Sequence, residues 1–355
     1  MPLWSWIIPL LADALLGLTF LSPIGVILGV LCFAALIGAV IAGVHHAEVV
    51  AHRVGEPLGT VVLALVITVI EVSLIVTLML TGGVHENTLP RDTIFSAIMI
   101  ICNGLLGLCL LIGSLRHREQ TFHVVGANAA LATLVALTTL SLVLPAFTTS
   151  SRGPTYTTSQ LLFAAVASLV LWGVFAFVQT VRHRDYFLPV DNVADEDAHA
   201  PPPSKRLAWV SFLLLFVALV GVVGLAEQLS PLIEAAVVTA GAPRGVIAIA
   251  IAILVLLPET WAAVRAARAN RLQTSLNLAL GSALASIGLT IPAVAFTSML
   301  VGVPLVLGLD PKDLTLLLLT FLVASITLVA GRTHIMLAAV HLVIFGAFLL
   351  LAFVP

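Results

Sequence analysis

Charge is what this sequence has least of. Asp, Glu, Lys and Arg supply only 9% of its 355 residues, against 61% hydrophobic ones, and the mean hydropathy is +1.19. Too little polar surface remains to cover a water-soluble core, which excludes a soluble globular domain. The 15 basic residues are scattered among the connections rather than massed, and the net charge is −2, which removes nucleic acid as a partner. Cysteine is scarce too: Cys32, Cys102 and Cys109 all fall in apolar runs with no CxxC or Cys/His spacing. They are read as helix-packing residues, with neither a disulfide framework nor a zinc site expected. HExxH, GxSxG and paired-aspartate helix motifs are also missing, so the chain is not expected to be an enzyme or to need a cofactor.

What the sequence does have is apolar runs of roughly 17–25 residues, the length that spans a bilayer. They fall at 3–20, 23–44, 57–81, 93–115, 123–147, 158–181, 207–229, 243–266, 273–301, 311–330 and 333–354. The expectation is an all-α polytopic membrane protein of eleven transmembrane helices. The first run is not a cleavable signal, because no basic residue precedes it and Asp13 sits in its middle. With the amino terminus inside, the inner connections hold Arg53, Arg116, Arg118, Arg182, Arg184, Lys205, Arg206, Arg265, Arg268, Arg271 and Arg332. The outer ones hold only Arg91, Arg152, Arg244 and Lys312. That excess predicts a cytoplasmic amino terminus and an external carboxyl terminus.

One connection differs from the rest. Residues 183–206 carry Asp191, Asp195, Glu196 and Asp197 beside His199 and three consecutive prolines, a composition that cannot bury apolar surface and reads as an acidic cytoplasmic linker. It separates a first group of five helices (21–182) from a second (207–355), after the amino-terminal helix at 1–20. Two groups of odd number insert in opposite senses, the topology of an inverted repeat, and such transporters bind substrate near the midplane where the repeats meet.

Two glutamates stand inside these runs: Glu71 in Gly59 to Leu80 and Glu259 in Arg244 to Val264. An ionised side chain at the bilayer centre costs on the order of 3 kcal/mol unless a proton, a cation or a water-filled cavity relieves it, so each is a functional candidate. Both lie in the second helix of their group, which predicts one site built from the pair. Protons and a cation then compete for it, and that competition is what couples two gradients. Neutral oxygens are at hand: Thr68 one turn before Glu71, Ser96 and Asn103 at i, i+7 in the fourth run, and Ser282, Ser286 and Thr290 at i, i+4, i+8 in the ninth, preceded by Ser275 and Asn277. Carboxylate, hydroxyl, amide and carbonyl oxygens suit a hard cation such as calcium or sodium. The ligand set expected is Glu71, Glu259, Ser282, Asn103 and Thr68, with Glu56 as a third proton-coupling group beside the two membrane acids. The bland alternatives are a protonated Glu bonding a neighbouring helix and Ser or Thr that merely pack. Pro258, before Glu259, predicts a kink that frees a carbonyl oxygen. His45, His46, His52 and His341 are read as interfacial or packing residues, with His46 and His52 beside Glu48 as an alternative pH-sensing pair. A passive channel is the less favoured class, because the polar residues concentrate on four helices.

Around these residues the chain resembles a known family. The stretch His46 to Ile75 is similar to the first repeat motif of the cation/proton exchanger branch of the calcium/cation antiporter superfamily. There an A-T-E-E-L-A-x-R-x-G-E opening is followed, fifteen residues after its last Glu, by the Glu of G-N-A-T-E-L-I. Ala47, Arg53, Gly55 and Glu56 fit the opening and Glu71 falls at that spacing. Pro258 to Pro292 is similar to the second motif, matching at Glu259, Ala263, Val264, Ala267, Asn270, Ser275, Leu276, Ala279, Gly281 and Ser282. The segment from Ala330 to Leu342 resembles the start of the family's last helix. The likeness is closest to bacterial ChaA-type calcium/proton antiporters. It implies exchange of calcium for protons across a bacterial inner membrane by alternating access, with the lipid bilayer, a cation and protons as partners, and is compatible with a homo-oligomer. Where the family has G-N-A before the first Glu this chain has Ile67, Thr68 and Val69, and Leu256 replaces the Asn before the second. Fewer amide ligands remain, so sodium or potassium in place of calcium is the alternative substrate.

Overall fold

The computed structural model describes residues 2–54, 58–81, 88–188, 203–239, 241, 243 and 245–354. Its regular structure is helical. Among the described residues the only strand-like pairings are isolated bridges, Thr121 with Arg332 and Thr155 with Val306.

In chain order the helices are α1 (Trp4–Thr19), α2 (Val26–Val54), α3 (Leu58–Thr81), α4 (Leu89–Met99), α5 (Leu106–His117), α6 (Val124–Thr138) and α7 (Thr158–Phe177). They continue as α8 (Lys205–Thr239), α9 (Gly245–Arg268), α10 (Leu272–Val301), α11 (Pro311–Val329) and α12 (Ile335–Phe353). Eight spans among the described residues are long and apolar enough to cross a membrane, or nine if the bent α9 counts as one. Shorter apolar helices are α1 and the stretch Thr68–Thr77 of α3. The chain is therefore a polytopic helical membrane protein. Large apolar side chains such as Phe163, Val170, Phe216, Leu318 and Val343 stay more than half exposed, the pattern of a lipid-facing surface.

Local chemistry sets the ends. Thr157 and Gln160 form a reciprocal capping box at the start of α7, Pro311 occupies the first turn of α11, and Gly302 in the left-handed conformation closes α10. Apolar counting misplaced two boundaries. α2 runs ten residues past the expected 44, to Val54, taking in His45, His46, Glu48 and His52, and α8 runs on from the expected 229 to Thr239. Hydropathy marks where lipid stops, whereas backbone hydrogen bonding carries a helix on into the interface.

π-turns interrupt three spans: Ile100–Leu105 joins α4 to α5, Thr139–Val143 follows α6, and Val178–Arg182 follows α7. A π-turn adds a residue and loosens the ladder, so its carbonyls look for outside donors. At the second turn the donors come from loops: the Tyr156 hydroxyl donates to Leu140 O at 2.7 Å and Leu309 N to Leu142 O at 3.0 Å. Burial pushes the Tyr156 phenol above its usual range, which keeps it a donor.

By packing, the chain divides into two units: Met1–Gly83 with Asp195–Ile247, and Val84–Ala194 with Ala248–Pro355. Each draws helices from both sides of the linker. In the first, α2 packs on α1, α3 and α8. A side chain on Gly43 would meet Ala218 of α8 and Ile70 of α3 at 3.6 Å, the small-residue contact by which membrane helices approach. His46, fully buried, places Nε2 2.7 Å from Ser5 O and so ties α2 to the first turn of α1.

The second unit is laced at both ends of the α4–α5 span. At its start the buried Arg91 donates to Asp92 at 2.8 Å and to Gly308 O at 3.0 Å. At its end Gln120 exchanges bonds with Thr333, and its amide donates to Ala267 O at 3.0 Å and Asn270 Oδ1 at 2.9 Å. Gln273 Oε1 accepts from His123 N at 2.7 Å. Its Nε2 donates to Asn277, whose own amide reaches Phe187 O at 2.6 Å.

Candidate cation and proton site

Glu71 lies in the first unit, on α3, 4% exposed, with Thr68 one turn earlier at 6%. Ile70, Leu74 and Ile75 around it are buried to 2% or less. Glu259 lies in the second unit, on α9, 8% exposed. Among the described residues these are the only two carboxylic side chains in the buried class. An apolar run alone could have turned either acid toward the lipid surface or a loop; both are instead enclosed by protein. Each makes interactions within the fold.

The kink expected near Glu259 is present. α9 bends by 54° between Gly245–Leu257 and Glu259–Arg268, at the position where a proline removes a backbone donor and crowds the preceding turn. The carboxylate therefore starts the second half of a broken helix, where loosened backbone can offer oxygen atoms beside it.

The neutral residues separate. Ser282 on α10 is half-buried, and Ser275, Ser286 and Thr290 of the same helix are buried. Asn277 turns to Gln273 and Phe187 O, so it braces the start of the linker. Asn103 sits inside the first π-turn, fully buried. Its Nδ2 donates to Thr320 Oγ1 of α11 at 2.8 Å and its Oδ1 lies 3.2 Å from His341 Nδ1 of α12. The i, i+7 spacing that set Asn103 on one face with Ser96 assumes 3.6 residues per turn, and the extra residue of the π-turn breaks that register. Ser96 itself bonds back to Asp92 O at 2.6 Å. Glu56 lies outside the described residues.

Sequence reasoning passed over two residues. Thr320 and Thr327 carry no signal beyond polarity in an apolar helix, yet Thr320 meets Asn103 and Thr327 meets His341 Nε2 at 3.0 Å. His341, read as a packing residue, is the centre of that network. Helices approach closely at Gly104 and Gly107: side chains at these positions would meet Phe345 at 3.3 Å and the His341 Cβ at 3.0 Å. Among the described residues no group of three His, Cys, Asp or Glu side chains gathers.

A polytopic helical bundle with a buried membrane carboxylate in each of its two packing units defines a class, that of the ion-coupled membrane transporters. The comparisons narrow it. Residues 15–181 and 210–354 match the model of the sodium/calcium exchanger protein family, and the chain belongs to that family. It is 49% identical over 360 residues, all of this chain and 97% of the relative, to a protein of Sinorhizobium fredii whose name, ionic transporter y4hA, is itself provisional. It is 32% identical over 354 residues to the sodium-potassium/proton antiporter ChaA of Escherichia coli, covering 98% of this chain and 96% of ChaA. Its fold is similar to that of YfkE, with a TM-score of 0.72 at 17% identity over 99% of this chain and all of the other. These findings bear out the exchanger resemblance and make the chain an integral membrane antiporter of the cation-exchanging type.

Proposed function

We propose that the protein exchanges an inorganic cation for protons by alternating access, through one site shared by Glu71 and Glu259. The observation that carries this reading is the burial of just these two acids among the described carboxylic side chains, at 4% and 8% exposure. An enclosed carboxylate is relieved by a proton or by a cation, so a site that moves only when loaded with one or the other couples the two fluxes. Thr68 and Ser282 are the neutral oxygens assigned to the cation, with Asn103 acting as described below. Glu56 is a further proton-coupling candidate. No catalytic step and no resident cofactor enter this cycle.

Sodium or potassium is the better supported cargo. ChaA, a relative with a named activity that matches nearly the whole chain at 32% identity, is called a sodium-potassium/proton antiporter. The replacement of the family amides by Thr68 and Leu256 also leaves few of the six to eight oxygens that calcium takes. Calcium is the second reading, favoured by charge: two carboxylates match one divalent ion. Proton movement driven by sodium, potassium or calcium in everted vesicles separates them. The monovalent reading expects sodium or potassium to drive it at lower concentration than calcium, and calcium as the sole driver would overturn it.

In the membrane we assign eleven crossings, obtained by counting α1, α3 and the bent α9 with the eight longer spans. They form one amino-terminal helix (1–20) and two inverted five-helix repeats (21–182 and 207–355) around the acidic linker 183–206. The bacterial inner membrane with a cytoplasmic amino terminus fits the distribution of Lys and Arg.

A further inference from the structure

Asn103, Thr320, Thr327 and His341 are each fully buried, and they come from the π-turn, α11 and α12 of one packing unit. The proton positions follow from the partners. Thr320 spends its single hydroxyl hydrogen on Leu316 O at 2.7 Å, so toward Asn103 it accepts. That turns Nδ2 of the amide to Thr320 and leaves Oδ1 for His341. The imidazole must then carry its proton on Nδ1, and Nε2 accepts from the Thr327 hydroxyl at 3.0 Å. Every member is satisfied with the ring neutral, and the chain of bonds runs one way, from Thr327 through His341 and Asn103 to Leu316 O. A fully satisfied buried network of this kind specifies a unique arrangement, whereas a half-satisfied one is costly.

Its place gives it a task. The π-turn is where the register of the α4–α5 span can slip, because a π-turn and an α-turn of the same residues differ by one residue of rotation. Beyond the turn, Gly107 brings α5 against the side chains of His341 and Leu342 on α12. Before it, the α4 half, carrying the buried Ser96, packs on α10, the helix of Ser282.

We propose that His341 is a positioning residue for transport: by holding the Asn103 amide it fixes the π-turn and thereby the register at which α4 meets α10. Asn103 then acts on cation affinity through this turn and not as a ligand. The proposal rests on the reading that α10 contributes to the cation site.

The test is a double-mutant cycle on the full-length protein in vesicles, with His341→Ala, Asn103→Ala and the pair compared at matched folded amounts. Each single change should raise the half-saturating cation concentration about tenfold, the size expected for one broken buried hydrogen bond, with the maximal rate little changed. The pair should be no worse than either single variant. His341→Gln, which keeps a donor and an acceptor, should recover most of the affinity. Additive losses, no shift in half-saturation, or failure of Gln to rescue would each overturn the proposal. Should His341→Ala not fold, Thr327→Val, which deletes only the donor to Nε2, must show the same shift. Glu259→Gln run in parallel separates the two readings. Exchange surviving in that variant while His341→Ala still shifts half-saturation removes the acid pair and keeps the network. Loss there without a His341 shift does the reverse.

Discussion

At the scale of single residues, burial distinguishes acids that this composition leaves ambiguous. Asp13 also lies within an apolar run, on α1, yet it remains partly exposed, while Glu71 and Glu259 are enclosed. Replacing either glutamate by Gln keeps the volume and a hydrogen-bonding head but removes the charge a cation needs. Glu71→Gln and Glu259→Gln are therefore each expected to abolish cation-driven proton movement while the protein still inserts and elutes as a folded species. Exchange retained by either variant at matched expression would end the two-carboxylate reading. Thr68→Ala and Ser282→Ala remove neutral oxygens, which bind cations less strongly than charged ones. They should raise half-saturation several-fold without stopping transport.

At the scale of elements, departures from the regular α-helix do the positioning. The 54° bend of α9 sets Glu259 at the start of a half-helix, and the π-turn at Ile100–Leu105 turns Asn103 toward α11 and α12. Close packing fixes the second of these. A Cβ on Gly107 would stand 3.0 Å from the His341 Cβ and 3.1 Å from Leu342 Cγ, tighter than helices tolerate without moving apart. Gly107→Val should lower stability by about 1–3 kcal/mol, the usual cost of overpacking. Thermal unfolding in detergent measures it, and an unchanged midpoint would mean that α5 and α12 separate freely. Gly17, with open space around it, is the control position: Gly17→Ala should leave the midpoint where it is or raise it.

At the scale of the whole molecule, the linker and the two packing units cut the chain differently, since each unit takes helices from before and after residues 183–206. Sidedness is checked with tags. One at the amino terminus and one within 191–204 should be shielded from impermeant reagents in intact cells, and one after Pro355 should be labelled. A shielded carboxyl terminus would mean an even number of crossings. Competition for one site has its own signature: as pH falls, half-saturation for the cation should rise while the maximal rate at saturating cation holds. If the two acids share one site as proposed, both ionised would give it two negative charges, met by two protons, by one divalent ion, or by one monovalent ion and a retained proton. If acid lowers only the maximal rate, protons act elsewhere, and the exposed His52 is better placed to meet them than His46, which is buried against Ser5 O.

The sequence by itself determined the class and the helical architecture and singled out the two acids as candidates, because each depends on quantities local to the chain. Apolar length sets a span, and a glutamate inside such a run stands out by its cost. The kink at residue 258 was legible for the same reason, since proline acts on its own turn. What only the tertiary structure decided is how neighbours pair. Ser96 and Asn103 share a face in a regular helix, and nothing in their spacing announces the π-turn that parts them; it is held by Thr320, Thr327 and His341 from helices more than 200 residues away. The same holds for Gln120, whose partners Ala267, Asn270 and Thr333 lie in the last turn of α9, in the turn after it and in the loop before α12. Periodicity reports which residues leave water, but the direction of a buried polar side chain is set by whichever distant donor or acceptor satisfies it.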